Sequence, residues 1–125
     1  MRSSQEVFQA REGIFVTNYI SGHDAEKLAA TYLKNKGFKV TELNWKTRLC
    51  EIDIVAKKDK IIWFVEVKSR KDSLQGYGYE YVTAKKLKQM KFSAEMWVAE
   101  NKWDGDYRLA VVSVDGAEVT LYDDI

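Results

Sequence analysis

Two neighbouring apolar segments that each contain charged residues restrict the fold of this chain more than any other feature. Residues 51–55 read Glu-Ile-Asp-Ile-Val, and residues 64–68 read Phe-Val-Glu-Val-Lys. Their β-branched and aromatic residues are typical of strands. Because strand side chains alternate between faces, Glu66 and Lys68 are expected on the same side. A carboxylate and an ammonium group inside a buried strand cost free energy unless they are paired, hydrogen-bonded or bound to a metal.

Asp53, Glu66 and Lys68 form the set of two acids and one base that metal-dependent hydrolysis of a phosphodiester would need. Such hydrolysis requires a cation at the phosphate, a positioned water and help for the leaving oxygen. The two carboxylates are candidate ligands of Mg²⁺ or Mn²⁺. Lys68 is a candidate to orient or deprotonate the water, or to bind the phosphate. The alternative is a salt-bridged cluster that only fixes the sheet, although three inward charges stabilise a small domain poorly.

Three further groups are candidates to complete a metal site. The backbone carbonyl of Val67 offers a third oxygen from the strand itself. Glu26, on a predicted helix, could bind the cation directly or through water. Its alternative role is that of a solvated carboxylate near the favourable N-terminus of that helix. Glu51 has the same strand parity as Asp53 and is expected to face the same pocket.

Length and composition exclude several classes of protein. The 125 residues are expected to form a lead-in segment at residues 1–20 and one domain at residues 21–125. The formal net charge is only +1, so a nucleic-acid surface would need local clustering of Lys and Arg. Cys50 is the single cysteine and His23 the single histidine, which excludes an internal disulfide and argues against a structural zinc site. With no secretory signal and no apolar run near the ~18 residues of a membrane span, a cytoplasmic protein without membrane contact is expected.

Apolar periodicity predicts the element order α-β-β-β-α-β-β, and hence an α/β domain with a mixed sheet covered by helices. Ser21 and Asp24 fit a capping box at the start of the first helix, and Gly37 is suited to stop it. The second helix is predicted from a Thr83 cap to about Asn101. The strands are predicted at residues 38–45, 49–56, 61–68, 107–114 and 118–122.

Polar residues around the second helix are candidates for contacts with nucleic acid, most of them basic. The candidates are Arg70, Lys71, Lys85, Lys86 and Gln89. The alternative for such a charge run is an ordinary solvated face, whereas phosphate contacts would make it functional. Lys86 is the strongest candidate because it borders the apolar stripe of its helix. Phe92 and Met96 lie on a different face, and their joint exposure would indicate a homodimer surface unless the N-terminal segment covers them.

At these residues the chain resembles a known group. The Asp53…Glu66-Val67-Lys68 element is similar to the PD-(D/E)XK nuclease signature. The pattern over residues 22–114 resembles the YraN-like family, which is related to archaeal Holliday junction resolvases. The wider pattern comprises Gly22–Glu26, Ala29, Tyr32–Leu33, Gly37–Phe38, Asn44–Trp45, Glu51–Asp53, Phe64–Arg70, Gly76, Val82–Thr83, Lys86 and Arg108. The charged element alone is a weak signal, but its combination with the upstream and downstream residues is specific.

The resemblance implies a restriction-endonuclease-like, three-layer α/β/α domain with a central mixed sheet. It also implies a divalent-cation site in which Asp53 and Glu66 are ligands, Lys68 is catalytic and Glu26 is an auxiliary acid. The implied activity is structure-directed or non-specific cleavage of nucleic acid, with branched DNA as the favoured substrate. A cutter of branched DNA acts on two strands, which a homodimer would suit.

The chain departs from the family pattern at two positions. Cys50 stands where the family usually has Gly, and Ala110 stands where it usually has Asp. If position 50 required a positive φ, Cys would be strained there. Both changes leave the candidate ligands in place but raise the expectation of an altered activity. Two other functions therefore stay open: a nucleic-acid-binding module that has lost the chemistry, and a scaffold for a protein partner whose acidic cluster is structural.

Overall fold

The structure is a computed structural model that describes residues 5–9, 22–69, 82–123 and 125, with only the backbone described for residues 5–9, 22 and 23. Within these residues the fold is α/β, as the sequence predicts. Every predicted strand is observed within two residues of its expected bounds. In chain order the elements are β1 Gln5–Gln9, α1 Gly22–Asn35, β2 Lys39–Lys46, β3 Glu51–Lys58, β4 Ile61–Ser69, α2 Ala84–Asn101, β5 Tyr107–Asp115 and β6 Glu118–Tyr122.

The six strands form one mixed sheet in the order β1-β6-β5-β4-β3-β2. The neighbours β4 and β5 run parallel, and the other pairs run antiparallel. A parallel pair needs a long crossover connection, and α2 lies in the chain between these two strands. The edge strand β1 is an element that the sequence does not predict. Its five residues contain only two apolar side chains, which is too weak a pattern to predict a strand from the sequence. The strand is identified from the pairing of its backbone with β6.

The two helices cover opposite faces of the sheet. Alternation along β3 illustrates this arrangement, because Ile54 and Ala56 pack into the α1 cluster whereas Val55 packs with α2. Tyr32 and Leu33 of α1 are fully buried, and Trp97 of α2 is nearly so. Burial of apolar surface on both faces is the main stabilising term of such a domain. The expected three-layer α/β/α architecture is therefore confirmed.

The helix α2 is anchored to its surroundings at two points. The side chain of Thr83 accepts a hydrogen bond from the backbone N–H of Lys86 at 3.1 Å, which is the predicted N-cap. Further along, Trp97 Nε1 donates to Glu42 Oε1 at 2.7 Å and ties the helix to β2. The cap orders the first turn of α2, which carries Lys86. Neither described helix combines the length and apolarity that crossing a bilayer requires.

Candidate functional site

Asp53 and Glu66 meet where the pairing between β3 and β4 ends. The paired register runs from Lys58↔Ile61 to Ile54↔Val65. One further step would place Asp53 opposite Glu66. Instead, the backbone N–H of Val67 donates a hydrogen bond to Asp53 Oδ2 at 2.8 Å. The end of this ladder therefore brings together the two acids that the sequence singles out.

The side chains of β3 do not alternate regularly between the two faces of the sheet around Asp53. Strict alternation would put Ile52 and Ile54 on the same face, but Ile54 packs on the α1 side and Ile52 packs on the α2 side. On the neighbouring strand, Asn44 has φ 53, in the left-handed region. Asn44 lies between the pairs Leu43↔Ile54 and Trp45↔Ile52, which is the position opposite Asp53. The irregular backbone of both strands coincides with the functional candidate.

Asn44 belongs to the family pattern and lies opposite Asp53, but it is not among the candidate site residues predicted from the sequence. Its signal in the sequence is an Asn inside a predicted strand, because Asn tolerates the left-handed region better than most residues. We expect Asn44→Ala to destabilise the protein by about 1 kcal/mol, since an alanine in this conformation is strained. Asn44→Gly is the matched control and is expected to stay within a few tenths of a kcal/mol. Urea unfolding measures both variants, and equal stabilities would contradict the expectation.

Glu66 forms ion pairs with two lysines that come from two different elements. Lys86 Nζ, from the first turn of α2, lies 2.9 Å from Glu66 Oε2. Lys68 Nζ, two residues along β4, lies 3.5 Å from the same oxygen. The side chain of Glu66 is only 17% exposed, so both ion pairs are partly shielded from water. Because both pairs use Oε2, the other oxygen, Oε1, is the natural one for a cation.

The charged side chains that shift the pKa of Asp53 are carboxylates, whereas those that pair with Glu66 are lysines. Burial, which is the largest cause, acts together with the carboxylates of Glu66, Glu26 and Glu51 to raise the pKa of Asp53 to about 7, against the lowering effect of the hydrogen bond from the Val67 N–H. The site therefore has excess negative charge around Asp53, and a divalent cation would offset it. Glu51, from β3, and Glu26, from α1, both act electrostatically on Asp53.

The donor set fits a cation held by few protein ligands. Within the described parts of the chain, no three residues among His, Cys, Asp and Glu are grouped so that they could hold a metal ion. A cation here would be held by Asp53, Glu66 and the carbonyl of Val67, with water completing its shell. Mg²⁺ commonly binds in this way, through one or two carboxylates and several waters. Glu26 could act on such a cation directly or through water.

The raised pKa of Asp53 has a consequence for stability without added metal. The folded protein keeps the Asp53 proton up to pH of about 7, whereas the unfolded chain, with the ordinary pKa of 3.8, releases it earlier. The folded state therefore binds more protons in this window, and its stability falls as the pH rises through it. In EDTA we expect Asp53 to contribute a loss on the order of 4 kcal/mol between pH 4 and pH 8.

The isosteric variant Asp53→Asn is the control for this pH dependence, because its amide does not titrate. Chemical unfolding of both proteins at several pH values in EDTA measures the difference. The stability curve of the variant is expected to fall less steeply than that of the wild type. Parallel curves would show that Asp53 has an ordinary pKa in the folded protein.

The remaining candidates lie beside the site or outside the described residues. Lys85 and Gln89 are exposed on α2 and line a groove of about 610 Å³ that also contains Glu66 and Lys86. Arg70 and Lys71 lie outside the described residues, and so does the side chain of His23. Phe92 is exposed on the same helix, whereas Met96 is half-buried.

The two departures from the family pattern have simple structural settings. Cys50 is half-buried, lines the groove, and its Sγ lies 3.4 Å from Thr47 Oγ1. Among the described residues, those with positive φ do not include Cys50, so the strain considered for a cysteine at this position is not present. Ala110 is fully buried in β5, paired with Val65 and packed on the α1 side.

Comparison with known proteins gives a consistent result over most of the chain. A sequence profile described as "Uncharacterised protein family UPF0102" matches residues 25–114. A UPF0102 protein of Cytophaga hutchinsonii is 34% identical over 101 residues, which is 81% of this chain and 89% of that protein. A UPF0102 protein of Campylobacter lari is 33% identical over 111 residues, which is 88% of this chain and 96% of that protein. One from Thermotoga petrophila is 38% identical over 91 residues, which is 73% of this chain and 82% of that protein.

Proposed function

The chain belongs to the UPF0102 family, and for this member we propose metal-dependent hydrolysis of phosphodiester bonds in DNA. The cofactor would be Mg²⁺ or Mn²⁺, bound at Asp53 and Glu66. Branched DNA, including four-way junctions, is the substrate that the resemblance favours. We also propose that the protein acts as a homodimer, which would suit cleavage of two strands.

The contrast between the two acids is the observation that supports this proposal. Glu66 is ion-paired with Lys68 and Lys86. The pKa of Asp53, in contrast, is raised to about 7, whereas an ion pair with a basic side chain would have lowered this pKa. A cluster built only to stabilise the sheet would be expected to compensate both acids. The uncompensated acid beside a compensated one is instead typical of a site whose charge balance is completed by a ligand.

The chemistry would divide among the residues as follows. Asp53, Glu66 and the Val67 carbonyl would hold the cation, which would supply charge neutralisation at the phosphate. Lys68, at 3.5 Å from Glu66 Oε2, would orient the attacking water or accept its proton. Lys86 would hold a phosphate oxygen as a point charge. Glu26 would act through water as an auxiliary acid.

A catalytically inactive DNA-binding module is the second candidate function. The two lysines at Glu66 favour it, because they already neutralise an acid that a cation would otherwise use. In that case the basic residues would hold DNA while the chemistry is lost. The third alternative, a scaffold for a protein partner, would make the acidic cluster purely structural.

Cleavage assays with the purified protein separate the three functions. Supercoiled plasmid and a four-way junction are incubated with Mg²⁺, Mn²⁺ or EDTA, and Glu66→Gln is the matched variant. Nicking that requires the cation and is lost in Glu66→Gln supports the nuclease. Binding without nicking supports the inactive module. Failure to bind DNA even at low salt supports the scaffold, because phosphate binding is strongest at low salt.

A further inference from the structure

The groove beside Glu66 combines exposed apolar groups with lysines. It has a volume of about 610 Å³ and lies between the residues just before β3 and the first half of α2. Leu49 and Phe92 line it and are 71% and 45% exposed. Lys85, Lys86 and Lys88 line it as well, and so does Glu66. The groove is therefore continuous with the candidate catalytic site.

The charge of α2 favours a negatively charged occupant. Its four lysines, at positions 85, 86, 88 and 91, all lie in the N-terminal half of the helix. The first turn has no acidic residue and the last turn has no basic residue. This is the reverse of what the helix dipole favours and the reverse of α1, which has Asp24 in its first turn and Lys34 in its last. A polyanion along the groove would remove the resulting repulsion.

The exposed aromatic ring indicates which polyanion fits. Bases in a duplex are stacked inside the helix, so their faces cannot contact Phe92. The unpaired bases of a single strand can stack on an aromatic ring while lysines follow the backbone phosphates. A protein partner fits less well, because the cores of protein interfaces are depleted in lysine. Apolar and basic groups in one groove thus match single-stranded nucleic acid better than duplex or protein.

We propose that this groove binds a single-stranded segment of DNA, with an unpaired base stacked on Phe92 and phosphates held by Lys85 and Lys88. As a statement about substrate, it rests on the proposed nuclease function: the DNA that is cut would carry unpaired nucleotides beside the scissile bond. Leu49 contributes the opposite apolar side of the groove, and Glu66 marks the end nearest the reacting phosphate.

The test is fluorescence anisotropy with the full chain in EDTA, so that binding is measured without cleavage. The probes are labelled oligo(dT) and a blunt duplex of the same length. We expect tighter binding of the single strand by the wild type. Phe92→Ala is expected to weaken that binding about tenfold, in line with the loss of one stacked base, and to leave duplex binding unchanged. Phe92→Tyr is expected to retain the wild-type affinity.

Leu43→Ala is the matched control, because Leu43 is 49% exposed on β2 and does not line the groove. It is expected to bind both probes like the wild type. Lys88→Gln is expected to weaken binding of both probes and to reduce the salt dependence by about one phosphate contact. Light scattering on each variant monitors the oligomeric state during the same measurements.

Several results would overturn the proposal. These are equal effects of Phe92→Ala and Leu43→Ala, duplex binding as tight as single-strand binding, no binding of either probe, or a change of oligomeric state in Phe92→Ala that accounts for its affinity. The experiments also distinguish failure of the groove proposal from failure of the proposed nuclease function. Metal-dependent nicking without a single-strand preference would leave the nuclease standing and remove the groove proposal. A Phe92-dependent single-strand preference without nicking would do the reverse.

Discussion

Asp53→Asn is expected to lower metal-dependent DNA cleavage by about a thousandfold or more. The substitution keeps the shape of the side chain and an oxygen that can accept the hydrogen bond from the Val67 N–H, which is 2.8 Å long in the wild type. It removes the negative charge that a divalent cation would need. The measurement is the nicking rate of supercoiled plasmid with Mn²⁺ at pH 8. A rate within tenfold of the wild type would contradict the assignment of Asp53 as a ligand.

Thermal unfolding provides the control for this loss. A ligand that binds only the folded state raises the melting temperature as its concentration increases. Mg²⁺ or Mn²⁺ is therefore expected to stabilise the wild type at pH 8 and to have little effect on Asp53→Asn. In EDTA at pH 8 the variant is expected to be at least as stable as the wild type, because its neutral amide replaces a carboxylate that is ionised while buried beside other carboxylates. A variant that melts early in EDTA would attribute the lost activity to misfolding.

Lys68→Met is expected to lower the cleavage rate by about a hundredfold to ten-thousandfold while DNA affinity changes little. A group that orients or deprotonates the attacking water contributes on this scale. Methionine approximates the length of the lysine side chain and removes its charge. The measurement is the single-turnover cleavage rate at saturating protein, which separates chemistry from binding.

Lys86→Met is the matched variant, because Lys68 and Lys86 contact the same oxygen of Glu66. Its expected effect is on DNA affinity, with a smaller change in the single-turnover rate, since a phosphate-holding lysine acts mainly in binding. If both variants lose rate equally and keep affinity, the two lysines serve only to neutralise Glu66. That result would remove the separate catalytic assignment of Lys68.

The elements of this fold follow from the sequence where the local pattern determines them. Alternating apolar residues predict β3 and β4, and the Thr83 cap correctly marks the start of α2. The placement of Lys86 also follows, because a lysine at the border of a helix's apolar stripe points toward what the helix covers. The edge strand β1 does not follow, because its five residues pair through backbone groups that any sequence possesses.

The details of the candidate site depend on backbone geometry that side-chain patterns do not encode. The expectation that Glu51 and Asp53 face the same pocket assumes that side chains alternate regularly along β3. Ile52 and Ile54, however, lie on opposite sides of the sheet. The end of the β3–β4 ladder at Ile54↔Val65 and the bond from Val67 to Asp53 are likewise features of pairing. The sequence can therefore name the candidate residues, whereas their mutual arrangement depends on where two strands stop pairing.

The left-handed backbone of Asn44 also bears on how the chain can vary. Its side chain is exposed, and exposed positions ordinarily accept many amino acids. Here φ of 53 leaves glycine, asparagine and aspartate as the most compatible residues. In a library randomised at this codon, selection would act on backbone shape before any side-chain contact, and β-branched residues, usually favoured in strands, would be depleted first.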